Sequence, residues 1–167
     1  MKTTKKLMLA AAAAVMASAV SAQVPSKPVE ITSPGIVLAG SYDKTKLPKE
    51  AQEFITKYFP GTTVTKCEQY FAKGKISVEL NSGVDIDFDT NGNPIEVEAP
   101  DHATLSRDVV KRLLHDTAFA RLVADGYVDR VESIEIKRGR VVEVSIDKRN
   151  PDTYIFDVNG LFIALED

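Results

Sequence analysis

Two segments of the chain carry the same order of sequence patterns, and this internal duplication constrains the fold more than any other feature. Residues 88–92 have the sequence Phe-Asp-Thr-Asn-Gly, and residues 156–160 have the sequence Phe-Asp-Val-Asn-Gly. Each pentapeptide ends a stretch in which apolar and polar residues alternate, and each is followed by a short apolar pair. Alternation is typical of half-buried strands, and Asn-Gly is a strong hairpin signal. The sequence therefore predicts two copies of one unit, at 47–98 and 105–167.

The first copy begins with a predicted amphipathic helix. Apolar residues recur at helical spacing from Ala51 to Phe59, after Pro48, which suits the first helical position because its missing N–H costs nothing there. Pro60-Gly61 ends the helix. Four strands are predicted to follow, at 64–71, 76–80, 84–88 and 95–97.

The second copy repeats this order with one insertion. Its helical stripe runs from Leu105 to Leu114, with Ser106 as the predicted N-cap. A further short helix at 118–124, ended by Gly126, is interpreted as the insertion. Four strands are predicted at 128–136, 142–146, 154–158 and 163–165.

The predicted fold class is α+β, with each copy built from a helix and a four-stranded antiparallel meander. A unit of roughly 50 to 60 residues is only marginally stable by itself. We therefore expect the two copies to share a core or one continuous sheet.

The first 22 residues have the three-part layout of a secretory signal peptide. Three lysines precede an uninterrupted apolar stretch at 7–17, and Val20-Ser21-Ala22 fits the cleavage rule. The apolar stretch is shorter than the roughly 20 residues of a membrane-spanning helix. We expect a mature chain that begins at Gln23, is periplasmic or secreted, and has no membrane span. Residues 23–46, with three prolines, are predicted to form a linker or an edge-strand arm.

Charge excludes one class of partner. Residues 1–22 hold three of the 21 lysines and arginines and none of the 24 acidic residues, so the remaining chain has a net charge of −6. No basic stretch is long enough to neutralise several phosphates, which argues against nucleic acid as a partner.

Several motifs resemble the PepSY-like family of exported bacterial proteins, whose fold is similar to that of β-lactamase-inhibitory protein. The first copy carries Leu47-Pro48, the helix end Tyr58-Phe59-Pro60-Gly61, Val-Glu-Leu-Asn-Ser-Gly at 78–83, and the pentapeptide at 88–92. The second copy keeps its pentapeptide but has Leu105-Ser106 in place of Leu-Pro and lacks the Phe-Pro-Gly helix end. The resemblance implies a small periplasmic or secreted domain in tandem, with no established catalytic activity. It does not imply inhibition of a β-lactamase, because a fold does not fix a function.

The candidate binding site is an acidic strand face formed by Asp85, Asp87 and Asp89. Three like charges on one face cost stability unless a partner or cations screen them, so a basic protein surface could dock there. The alternative interpretation is a solvated face that discourages edge aggregation.

A calcium loop is the weaker alternative at the same place. Asp87, Asp89, Asn91 and Glu98 match the calcium-loop pattern letter for letter. The flanking segments, however, are predicted strands instead of helices, and Pro94 lies within the ligand arc.

No motif points to catalysis. Cys67 aligns with Val131 of the second copy and is interpreted as a small core residue, His102 is placed in the linker between copies, and His115 is predicted to be exposed. We therefore expect no enzyme and no cofactor. The leading hypothesis is a non-catalytic module that binds, inhibits or regulates another exported protein. A calcium- or small-ligand-binding periplasmic protein, a hydrolase and a structural envelope component are the alternatives.

Overall fold

The computed structural model describes residues 43–137, 141–150 and 152–167. The predicted signal peptide, the predicted arm up to residue 42 and the predicted turn at 138–139 lie outside these ranges. No helix among the described residues has the length and apolar character needed to cross a membrane.

Eight strands form one continuous antiparallel sheet in chain order. The two repeats are joined where strand β4 (Pro94–Glu98) pairs with strand β5 (Val131–Lys137), with Val97 opposite Ile134. The predicted α+β class and the continuous sheet are confirmed. The strands are β1 (Val64–Tyr70), β2 (Lys75–Leu80), β3 (Asp85–Asp89), β4 (Pro94–Glu98), β5 (Val131–Lys137), β6 (Val141–Ile146), β7 (Thr153–Asp157) and β8 (Phe162–Glu166).

In the described part of the chain, three α-helices accompany the sheet: α1 (Lys49–Tyr58), α2 (Arg107–Leu113) and α3 (Asp116–Asp125). Ser106 caps α2 by accepting a hydrogen bond from the Val109 N–H, and Gly126, at φ +79°, ends α3, both as predicted. The segment Val128–Arg130, predicted as strand, is a 3-10 turn. This turn still buries the Val128 side chain, which explains why the apolar pattern resembled a strand.

Alternation along the strands divides the sheet into two faces. The helix face carries the apolar side chains, including Ile86, Phe88 and Phe156, and α1 packs on it with Phe54 edge-on to Phe88 at a ring separation of 6.0 Å. These residues belong to one core cluster that spans both repeats. The opposite face, called here the polar face, carries the acidic residues discussed below.

The helix that corresponds to α1 in the second repeat is α3. In each repeat a hairpin glycine at positive φ packs against a helix start, so that a Cβ on Gly92 would lie 2.8 Å from the Ala51 nitrogen and one on Gly160 would lie 2.9 Å from the Ala118 nitrogen. Both helices have ten residues. The predicted equivalence of the 105–114 stripe with α1 is therefore wrong: α2 is the insertion, and the repeated unit resumes at Leu114.

Cys67 is buried, as predicted, with 5% of its surface exposed. Its counterpart is Ile134 and not Val131, because β1 and β5 both show a register irregularity after their first residue, Val64 and Val131. Cys67 then pairs with Val78 as Ile134 pairs with Val144.

Candidate functional site

The polar face carries a row of acidic side chains that runs across four neighbouring strands. Asp87 on β3 lies opposite Glu96 on β4, Glu96 lies opposite Glu135 on β5, and Glu135 lies opposite Glu143 on β6. We call these four residues the acidic row. Directly opposed like charges destabilise a sheet, so the row needs compensation by cations of the chain or of a partner.

Two lysines compensate the ends of the acidic row. The Lys75 ammonium group forms an ion pair with Asp87, whose carboxylate also accepts a hydrogen bond from the Ser77 hydroxyl. At the other end, Lys137 Nζ lies 2.6 Å from a Glu143 oxygen and 3.6 Å from a Glu135 oxygen. Asp87 is only 7% exposed, whereas Asp85, two residues before it on the same strand face, is exposed to solvent.

Glu96 lies in the middle of the row and has the most perturbed carboxyl group. Burial raises the pKa of Glu96 to about 7, with further upward contributions from a hydrogen bond to Asp87 and from the charges of Asp87 and Glu135. Burial also raises the pKa of Asp85, and the nearby charges of Glu79 and Glu98 add to this effect. The polar face therefore concentrates more negative charge than its own lysines neutralise.

This perturbation predicts a pH dependence of stability. Glu96 binds its proton more tightly in the folded chain, where its pKa is about 7, than in the unfolded chain, where the ordinary value of 4.5 applies. The folded state therefore holds more protons between these two values, and the unfolding free energy falls as pH rises through that window. Glu96→Gln should reduce this decline and stabilise the protein above the window, as measured by urea unfolding across pH.

The matched control for that measurement is Glu98→Gln, at an exposed position two residues along the same strand. Glu98→Gln should leave the contribution of Glu96 to the pH dependence of the unfolding free energy unchanged. An unchanged pH profile in the Glu96→Gln variant would contradict the assignment of the raised pKa to Glu96.

Asp89, the third residue of the predicted acidic face, has a structural role. Its carboxylate accepts hydrogen bonds from the Asn91 and Asn93 N–H groups, at 2.9 and 2.8 Å. In the second repeat, Asp157 accepts equivalent bonds from the Asn159 and Leu161 N–H groups, each at 2.8 Å. The repeated Phe-Asp-x-Asn-Gly sequence thus encodes a hairpin turn.

The residues of the weaker calcium alternative are distributed over a hairpin. Asp87 is paired with Lys75, Asp89 holds the turn, and Glu98 lies opposite Asp85 at the far end of β3. No group of three or more His, Cys, Asp or Glu side chains within the described ranges is arranged to hold a metal ion.

Both histidines are exposed, as was predicted for His115. His102 lies in the connection between β4 and α2, with φ +64°. His115 caps α3 by accepting a hydrogen bond from the Thr117 N–H at 3.3 Å. His102 therefore belongs to a connection between elements, and His115 has the structural position of a helix cap.

A cleft of about 600 Å³ lies between the end of α1 and α2. Three of its lining residues are cationic, Lys57, Lys111 and Arg112, and Tyr58 and Asp108 complete its polar wall. Sequence reasoning missed this cleft, because cations on two separate amphipathic helices signal only solvated surfaces until the helices are placed side by side.

No protein-family model matches the chain, and no curated protein matches it. Its fold does match solved structures. A Bacteroides thetaiotaomicron protein, provisionally named as a calcium-regulated periplasmic protein, is 25% identical over 77% of this chain and 96% of its own, with a TM-score of 0.61. A Bacteroides vulgatus protein, provisionally named as periplasmic and of unknown function, is 22% identical over 79% of this chain and 98% of its own, also at 0.61.

A second Bacteroides vulgatus protein, provisionally named as a periplasmic protein of the DUF2874 family, is 22% identical and has a TM-score of 0.59. The match covers 81% of this chain and 100% of that one. These likenesses confirm the fold class and agree with the predicted location, periplasmic or secreted. The chain is thus similar in structure to periplasmic proteins of Bacteroides.

Proposed function

We propose that the protein is an exported, non-catalytic binding module whose polar face binds a basic surface of another exported protein, which it inhibits or regulates. The observation that carries this proposal is the acidic row, in which Asp87, Glu96 and Glu135 are directly opposed on three neighbouring strands. The PepSY-like resemblance of the sequence motifs is consistent with such a role.

The chemistry of the row favours a cationic partner. A lysine or arginine placed beside Glu96 would lower its pKa from about 7, so that binding would convert an unfavourable repulsion into ion pairs. The carboxylates stand on paired strands, so no backbone segment has to be ordered to present them. Complementary charge also steers a basic partner to this face.

The test is capture from a cell-envelope fraction, followed by affinity measurement with the purified partner. Contacts to charged groups contribute about 1.5 to 3 kcal/mol each. The double variant Glu96→Gln/Glu135→Gln should therefore weaken binding at least about tenfold, and added salt should weaken wild-type binding.

The matched control neutralises two carboxylates on α1, Glu50→Gln/Glu53→Gln, which are exposed and distant in sequence from the row. Binding should be unchanged in this variant. The proposal fails if the captured partner binds the polar-face variant as tightly as the wild type, or if no purified partner binds at micromolar concentration.

Calcium binding is the second candidate. It is favoured by the likeness to the Bacteroides thetaiotaomicron protein whose provisional name describes it as calcium-regulated. Carboxylates are the ligands that calcium prefers, and the polar face supplies several of them. In this case a cation, instead of a basic protein, would neutralise the centre of the row.

Thermal unfolding distinguishes this candidate. A ligand that binds only the folded state raises the melting temperature, so calcium should raise it relative to chelator and relative to equal magnesium. The Glu96→Gln/Glu135→Gln variant should lose the increase. Equal melting temperatures with calcium and chelator would exclude this candidate and leave the protein-binding proposal standing.

A further inference from the structure

Within the described ranges, the last strand, β8, ends the sheet with an edge that no other strand covers. Among the described residues it pairs only with β7. Natural sheets protect such edges with lysine, proline or inward charges, but the only charged residue of β8 is Glu166. Large apolar side chains are instead exposed on the strand and the turn before it: Val158 50%, Leu161 59%, Phe162 40%, Ile163 53% and Leu165 36%.

The first repeat shows what kind of element covers this edge. Val97 of β4 lies opposite Ile86 as Leu165 of β8 lies opposite Tyr154, so the two positions are equivalent. Val97 is 0% exposed and has Ile134 of β5 beside it, whereas Leu165 is 36% exposed. The element missing beside β8 is therefore a strand like β5.

We propose that this strand is β1 of a second copy, which pairs antiparallel with β8 and continues the sheet from one molecule into the next. By the duplication β1 is the counterpart of β5, since Cys67 is equivalent to Ile134. It stands at the opposite end of the sheet and, within the described ranges, pairs only with β2. The two outer strands of the described sheet, β8 and β1, thus match head to tail.

The register of the β4–β5 pairing can be applied residue by residue to the proposed pairing of β8 with β1 of a second copy. It places Leu165 opposite Cys67 of the second copy, both apolar and on the helix face. It also places Glu166 opposite Lys66, which creates an ion pair where the internal junction has Glu98 opposite Ser133. A head-to-tail interface of this kind does not close by two-fold symmetry and generates rings or open chains of molecules.

Single-cysteine variants test this pairing. Two variants of the exported protein are prepared separately, both with Cys67→Ala. One also has Lys66→Cys, and the other has Glu166→Cys. Directly opposed residues in antiparallel strands have Cα atoms about 4.5 to 5.5 Å apart, within disulfide range. Mild oxidation should therefore crosslink the mixture and neither preparation alone. Equally efficient dimers of Glu166→Cys with itself would indicate a two-fold arrangement and overturn the proposal.

A non-covalent measurement completes the test. The molar mass of the wild type by light scattering should rise with concentration beyond that of a dimer. Glu166→Lys and Lys66→Glu should each shift this rise to about tenfold higher concentration, and the double variant should restore it. A wild type that stays monomeric at all concentrations, or an assembly indifferent to both charge reversals, would refute the head-to-tail pairing.

Discussion

Replacement of Gly92 by alanine is expected to destabilise the protein by about 2 to 5 kcal/mol. Gly92 has φ +89°, and the left-handed conformation costs an alanine about 1 to 2 kcal/mol. A Cβ at this position would also lie 2.8 Å from the Ala51 nitrogen and 2.8 Å from the Pro48 Cβ. Both atoms are held by the start of α1, so the overlap costs about 1 to 3 kcal/mol more. Urea unfolding measures the total.

Gly61→Ala separates the two contributions. Gly61 has φ +78° but nothing within 4 Å of the added Cβ, so only the conformational cost should be seen. Gly160→Ala, whose Cβ would lie 2.9 Å from Ala118 of α3 and 2.9 Å from its N-cap His115, should behave like Gly92→Ala. Equal losses for Gly61→Ala and Gly92→Ala would contradict the proposed contact between hairpin and helix.

These glycines also show what local sequence could predict about the fold. The turns at Asn91-Gly92 and Asn159-Gly160 are encoded within a few residues, so the hairpins and the strand order followed directly from the sequence. The assignment of α2 and α3 did not. Both have apolar residues at helical spacing, and that period reports amphipathicity but not the place of a helix on the sheet. The contact between Gly160 and the start of α3 identifies α3 as the counterpart of α1. That contact joins residues far apart in the chain, so local sequence could not reveal it.

The candidate site was predictable only in part, for the same reason. Alternation along β3 predicted Asp85, Asp87 and Asp89 on one face, and their alternate positions in the regular β2–β3 pairing agree with that placement. The acidic row, however, depends on the register between β4 and β5, which are separated by the whole α2–α3 segment. Glu96, Glu135 and Glu143 therefore gave no joint signal. The only signal in the sequence was that each glutamate stands between apolar residues along its strand, which places it on the face opposite to theirs.

Phe88→Ala and Phe156→Ala should each destabilise the entire chain by about 3 to 5 kcal/mol. Both side chains are 0% exposed; the Phe88 ring packs against Phe54, and the Phe156 ring packs against Tyr154 and Phe162. Phe71→Ala is the matched control: Phe71 is 63% exposed, so its loss should change stability by no more than about 0.5 kcal/mol. Urea unfolding followed by circular dichroism measures all three variants.

The two buried phenylalanines lie in different repeats, and this makes their comparison informative about cooperativity. One core cluster spans both repeats and β4 pairs directly with β5, so neither repeat should remain folded when the other is lost. Hydrogen exchange should then show protection in β2–β3 and in β6–β7 falling together in either variant. If Phe156→Ala released only β6–β7 while β2–β3 stayed protected, the repeats would be independent folding units. In that case each repeat would be stable by itself, and the pairing of β4 with β5 would not be needed to keep either repeat folded.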